Sequence, residues 1–266
     1  MPYSRVNGID IYFERRGVGP RLLYINGSGA TLANSGSQMV DVFMAQFDVL
    51  GYDQRGLGLT TLAEGPYTMA DYAADAAALA ASVGWDSYRV VGISFGGMVA
   101  QELAVTVPQR IERLALACTS SGGAGGSSYP LHTLTALESA DRADVFQTLL
   151  DTRFTSEWLE QHPGEAGLAQ MVSQRDAVEK SAEVLRGEAL QLEARRHHDV
   201  FDRLSRITCP TLVACGEFDG IAPLENGQAI AAQISNAELR VFSGGHAFFV
   251  QDATAFPEII SFLSRV

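Results

Sequence analysis

The sequence predicts an α/β fold, a mostly parallel sheet with helices on both faces and an inserted helical cap. Three observations predict it. From Tyr3 to Ala117 short β-branched, apolar runs alternate with helical stretches, the pattern of parallel strands joined by covering helices. From about Pro130 to Arg203 no strand pattern occurs, and Val145, Phe146, Leu149 and Leu150 fall at helical spacing. Finally, Gly92-Ile93-Ser94-Phe95-Gly96 stands where a strand must turn directly into a helix.

Taken in order, Tyr3 to Val6 and Ile9 to Arg15 read as two strands joined by the tight-turn pair Asn7-Gly8. Arg21 to Ile25 is a short apolar strand that runs into the turn Asn26-Gly27-Ser28-Gly29. A helix over Met39 to Ala45 precedes a strand over Phe47 to Tyr52. Thr68-Met69-Ala70-Asp71 reads as a capping box opening an Ala-rich helix that stops at Gly84. Tyr88 to Val91 is the strand before the Ser94 turn; Gly97 to Ala104 is the helix after it, ending near Pro108. Ile111 to Ala117 is the next strand.

The Gly- and Ser-rich stretch from Ser120 to Ser128 has little to pack and reads as a hinge or exit. After Pro210 the sheet resumes with Thr211 to Cys215, a helix over Leu224 to Ile234, a strand over Leu239 to Phe242 and a closing helix over Phe256 to Leu263. The expected division is therefore a core of residues 1–121 and 204–266 with a cap of residues 122–203.

Composition narrows the function classes. The chain has 266 residues, 47% hydrophobic and 19% charged, the balance of a globular protein. A net charge of -12 argues against nucleic acid and anionic membrane surfaces as partners. The N-terminal residues lack the apolar core of a signal peptide, and no segment approaches a membrane span, so a cytoplasmic enzyme is expected. Cys118, Cys209 and Cys215 offer no paired spacing, which argues against a disulfide framework and against a structural metal; they read as small buried filler.

Chemistry is concentrated at strand ends. A tight Gly-x-Ser-x-Gly turn projects the Ser94 hydroxyl above the sheet, with a helix N-terminus behind it that favours developing negative charge. A serine is a poor nucleophile without a base held by an acid. Of the five histidines, His132, His162, His197 and His198 fall in the cap and read as surface residues. His246 instead follows the last strand through Ser243-Gly244-Gly245, on the same sheet edge as Ser94. The acid comes from Gly216-Glu217-Phe218-Asp219: Asp219 lies further over the edge, and Glu217 ties down its own loop. The Phe95 and Ser28 N–H groups supply an oxyanion hole.

These pieces, with Tyr52-Asp53-Gln54-Arg55-Gly56-Leu57-Gly58, make the chain resemble the α/β-hydrolase superfamily along nearly its whole length. The order Ser94, Asp219, His246 is the order of that superfamily's triad. The resemblance implies an eight-stranded sheet with the cap after the sixth strand and no cofactor. Within the superfamily the chain looks most like the small carboxylesterase and enol-lactonase group, with carbon–carbon bond hydrolases and cofactor-free haloperoxidases nearby. Serine in place of aspartate at the elbow weighs against dehalogenase and epoxide hydrolase chemistry. Many relatives carry His-Gly where this chain has Asn26-Gly27, and Asn26 is expected to brace that loop through its amide. Ile93 replaces a residue often polar in relatives and is expected to affect packing. Asp53 and Arg55 are expected to hold a loop rather than touch substrate.

The expected function is hydrolysis of a small ester or lactone with an apolar portion through an acyl-enzyme on Ser94. The alternatives are hydrolysis of a carbon–carbon bond and ligand sensing on a hydrolase scaffold. The cap is expected to roof a mostly apolar pocket and set substrate choice through residues such as Phe146, Leu149 and Trp158.

Overall fold

A computed structural model describes residues 2–176 and 180–265; Met1, residues 177–179 and Val266 lie outside the described residues. The eight strands are β1 (Tyr3–Val6), β2 (Ile9–Arg16), β3 (Arg21–Ile25), β4 (Asp48–Tyr52), β5 (Tyr88–Ile93), β6 (Ile111–Ala117), β7 (Thr211–Gly216) and β8 (Ala237–Phe242). They form one sheet in the order β1-β2-β4-β3-β5-β6-β7-β8. The β1–β2 and β2–β4 pairs are antiparallel, and all pairs from β4 to β8 are parallel. At the β1–β2 hairpin, Asn7 and Gly8 take φ of 47° and 81°, which the mirror-image turn requires.

The helices are α1 (Ser37–Phe43), α2 (Met69–Ser82), α3 (Phe95–Thr106), α4 (Ser139–Leu150), α5 (Ser156–Gln161), α6 (Pro163–Asp176), α7 (Ala182–Arg196), α8 (Leu224–Gln233), α9 (Phe248–Gln251) and α10 (Ala255–Ser264). Adjacent residues of each central strand point to opposite faces, so Leu23, Leu50 and Val90 enter one core layer and Leu22, Val49 and Val91 the other. The first layer is closed by Tyr72 and Leu79 of α2, Met98 and Leu103 of α3, and Ile230 of α8. Val40 and Phe43 of α1, with Ile259 and Phe262 of α10, close the second. Burying both faces explains why the parallel strands read as unbroken apolar runs.

Element ends shift by no more than two residues, as helix and strand ends commonly do. The capping box is present: the Asp71 N–H donates to Thr68 Oγ1 at 3.2 Å, and the Thr68 N–H donates to Asp71 Oδ2 at 2.8 Å. Helix α1 starts at Ser37 instead of Met39, continuing a π-type turn over Leu32–Gly36. The four-residue α9 was not expected, since so short an element leaves no periodicity to read. Among the described residues no helix is long and apolar enough to cross a membrane. All three cysteines are buried, and burial raises their thiols, Cys215 to about 12, so they are protonated packing groups.

Two expectations need correction. The stretch from Ser120 to Ser128 is not a loose hinge: Ser120, Ser121, Gly122 and Gly125 are buried, and the Val200 N–H donates to the Ser121 carbonyl at 2.9 Å. Its glycines let two backbones touch, because a Cβ on Gly122 would collide with the His198 carbonyl and one on Gly125 with Phe201. This close approach also corrects His198, expected at the surface but only 6% exposed.

Burial lowers His198 from 6.5 to about 4, outweighing the pull of Glu102 and of the Ser120 carbonyl. The folded state therefore holds it neutral while the unfolded chain takes up a proton below about pH 6.5. The associated stability is present above that pH and is lost as pH falls to about 4, a difference of roughly 2–4 kcal/mol. Urea melts between pH 7 and 4 are expected to show this loss, and His198→Leu should flatten it. An unchanged slope in the variant would assign the acid sensitivity to other groups.

Candidate active site

The chain leaves β3 toward β4 on one side and returns to β5 on the other, so the direction of winding reverses between β3 and β5. Such a switch point opens a crevice at the carboxyl ends of the strands. Here Ile25 of β3 pairs with Gly92 of β5, which sets Asn26-Gly27-Ser28-Gly29 beside the turn at Ser94.

Ser94 is the residue between β5 and α3, with φ 55° and ψ -115°. A side chain at positive φ is strained, and the surroundings must over-determine it. They do so from three sides. The Ser94 N–H donates to the Ala117 carbonyl at 2.8 Å, and the Ser94 carbonyl accepts from Thr119 Oγ1 at 2.8 Å. Gly92 and Gly96 supply the third restraint: a Cβ on the first would strike the Gly96 carbonyl, and one on the second the Ile25 carbonyl. The elbow thus depends on glycine for close backbone approach rather than for unusual torsions.

The structure brings Ser94, His246 and Asp219 together. His246 Nε2 lies 2.9 Å from Ser94 Oγ, and Nδ1 lies 2.8 Å and 3.0 Å from the two Asp219 oxygens. An ionised carboxylate only accepts, so Nδ1 carries the proton and Nε2 accepts from the serine hydroxyl. Asp219 is fixed in turn, since its Oδ1 accepts the Ile221 and Ala222 N–H groups, each at 2.8 Å. Glu217 is exposed, and it anchors its loop through its backbone N–H to Phe242 instead of through its carboxylate.

Phe95 is the first residue of α3, and Ser28 sits on the turn after β3. A Cβ built on Gly27 would lie 3.5 Å from Ser94 Cβ, so that turn reaches Ser94. Among the described residues neither the Phe95 N–H nor the Ser28 N–H is taken by another group. Asn26 braces the turn as expected: its Oδ1 accepts from Tyr24 Oη at 2.8 Å and from the Gly27 N–H at 3.0 Å.

Asp53 and Arg55 hold structure. Asp53 accepts the Leu32 and Leu59 N–H groups, and Arg55 makes a two-point pair with Asp75 at 2.7 and 2.9 Å. The Arg55 guanidinium also lies over Tyr72, whose ring meets Phe95 edge to face at 5.0 Å, supporting the elbow from below. Ile93 is buried in the second core layer.

Reasoning from the sequence missed the contribution of the segment between β6 and β7. Gln191 of α7 accepts the Gly29 N–H at 2.8 Å, tying that helix to the turn that carries Ser28. At the end of α4 the Leu150 carbonyl accepts the His246 N–H at 2.6 Å, and the Leu149 carbonyl accepts the Gly220 N–H at 3.0 Å. Gln54 Nε2 donates to the Asn26 carbonyl at 2.8 Å, another tie within the site. A run such as Gln191 or Leu149-Leu150 carries no motif, because each acts on a partner far away in the chain.

The fold agrees with that of known proteins. A family model described as alpha/beta hydrolase fold matches residues 20–253. The chain belongs to the α/β-hydrolase family. It is 28% identical over 237 residues to the 3-oxoadipate enol-lactonase 2 of Acinetobacter baylyi, covering 89% of this chain and 85% of that protein. It is 30% identical over 256 residues to a putative carbamate hydrolase RutD of Variovorax paradoxus, covering 93% of each. The crystal structure of the enol-lactonase of Burkholderia xenovorans LB400 superposes with a TM-score of 0.81 at 24% identity, covering 99% of this chain and 100% of that one, a likeness of fold. The chain is accordingly a hydrolase of the α/β type.

Proposed function

We propose that the chain is a serine hydrolase that cleaves a small ester or lactone through an acyl-enzyme on Ser94. The observation that carries this reading is the continuous chain from Ser94 Oγ through His246 to Asp219, at 2.9 and 2.8 Å, beside two N–H groups with no other partner. In this reading His246 takes the serine proton as Oγ attacks the carbonyl carbon, and the oxyanion is held by the Phe95 and Ser28 N–H groups. His246 then returns the proton to the leaving alkoxide, and Asp219 stabilises the imidazolium between the two transfers. Water, deprotonated by the same histidine, attacks the acyl-enzyme and releases the acid.

The segment of residues 122–203 serves in this proposal as a cap over a core of residues 1–121 and 204–266, with an apolar substrate portion bound beneath it. The ties of α4 and α7 to the His246, Asp219 and Ser28 loops support that placement. They also make the cap part of the catalytic support, more than a determinant of substrate choice alone. Enol-lactonase and hydrolase relatives support the substrate class, and the net charge of -12 argues against nucleic acid and anionic membrane surfaces as partners of this cytoplasmic-enzyme reading.

A panel of aryl and alkyl esters, lactones and dienoic ring-cleavage products tests the proposal. Turnover of esters or lactones, with a fluorophosphonate adduct on Ser94, is the expected result. Consumption of the ring-cleavage products alone would replace it with carbon–carbon bond hydrolysis. Single turnover with retention of ligand would point to a sensor.

A further inference from the structure

Two arginines are buried among the described residues, Arg55 and Arg195. Arg55 has the Asp75 carboxylate against it, as a buried cation requires. Arg195, 6% exposed and in the last turn of α7, has no such partner. Its Nη1 donates to the Tyr129 carbonyl at 2.6 Å, while Nε and Nη2 are buried and make no hydrogen bond. Asp219 acts on it from a distance, and both Asp219 oxygens are already committed to His246, Ile221 and Ala222. Burial without a counter-charge lowers the guanidinium to about 10, which leaves it charged at neutral pH.

Arg195 lines a cavity of about 80 Å³ together with His198, Ser120, Ser128, His132 and Arg196. Both ring nitrogens of His198 are buried there too, with only the Ser120 carbonyl drawing on the ring. Met98, one turn beyond Ser94 on α3, also lines it, as do the exposed Arg196 and Pro130. The volume suits one compact ion or a few waters. Its lining is basic and hydroxylic in a chain whose net charge is -12.

We propose that this cavity is a binding pocket for a compact oxyanion, with the Arg195 guanidinium as its cation and His198 and the serine hydroxyls as further donors. A planar fork of N–H donors matches a carboxylate or phosphate, and an ion there supplies the missing partners of both buried side chains. The oxyanion is either a free small anion or a carboxylate carried by the substrate; the second source rests on the ester and lactone hydrolase reading above.

Two measurements on the full chain separate these sources. Thermal melts in Tris chloride, with inorganic phosphate or acetate added, read the free ion. The ratio of kcat/KM for para-nitrophenyl hydrogen succinate to that for para-nitrophenyl butyrate, which differ by carboxylate for methyl, reads the tethered one. A free ion is expected to raise the wild-type melting temperature by at least ~3 °C at saturation and not that of Arg195→Met. A tethered carboxylate is expected to give a ratio that falls about tenfold or more in that variant. Arg195→Gln, which retains a donor for the Tyr129 carbonyl, carries both measurements if the methionine variant does not fold. A cavity that holds water only gives neither effect in the wild type, and a shift that persists in both variants places the ion elsewhere; either result overturns the proposal. A protein that hydrolyses neither ester defeats the hydrolase reading while the melts still decide the pocket.

Discussion

Ser94→Ala is expected to lower kcat for ester hydrolysis by a factor on the order of 10⁴–10⁶, the scale seen when the nucleophile of a cooperating triad is removed. The substitution deletes Oγ and with it the 2.9 Å contact to His246 Nε2. It leaves the Cβ, the positive φ and the backbone bonds to Ala117 and Thr119 in place. The fold should therefore survive, with a melting transition close to wild type. Residual rate should come from substrate binding and the Phe95 and Ser28 donors. Labelling by a fluorophosphonate followed by peptide mass analysis checks the assignment directly. Adduct formation on another residue in the variant would remove Ser94 from the nucleophile's role.

His246→Ala should be about as damaging as the serine change, because no other base lies within reach of Ser94 Oγ among the described residues. Asp219→Asn is expected to leave more activity while still costing about 10³–10⁴ in kcat. The reason is tautomeric. An asparagine can keep its oxygen on the Ile221 and Ala222 N–H groups and turn its amide N–H toward His246 Nδ1. The ring then carries its proton on Nε2, where it can no longer accept from the serine. Steady-state kinetics of His246→Ala, Asp219→Asn and Glu217→Gln separate the roles. Near-normal rates in Asp219→Asn together with a collapse in Glu217→Gln would reverse the choice of acid.

Much of this site was legible in the sequence because each member sits at a strand end followed by a short, glycine-rich turn. Ser94 follows β5 within Gly92 to Gly96, Asp219 follows β7, and His246 follows β8 through two glycines. Such turns are local objects: the period of the strand and the composition of the turn are enough to place a residue on one edge of a parallel sheet. Asp53 and Arg55 also follow a strand end, that of β4, and it was the family resemblance that set them apart; their bonds to Leu32, Leu59 and Asp75 are those of a loop anchor.

By itself the sequence determined the α/β class, the hairpin at Asn7-Gly8, the capping box at Thr68 and the order in which Ser94, Asp219 and His246 arrive at one sheet edge. All of these rest on residues within a few positions of one another. Only the tertiary structure decided that Gln191 holds the turn of Ser28 across 162 positions, and that Leu150 holds His246. It also decided that Ser120 to Gly122 and Gly125 are packed, that His198 is buried, and that Arg195 lies within the protein with two nitrogens unmatched. Glycine and serine in a row read as freedom when seen alone. Here the missing side chains instead let the 120–128 stretch lie against residues 198–201, and that contact takes a histidine and an arginine out of water. Burial and charge pairing depend on which distant surfaces meet, and no local periodicity encodes that meeting.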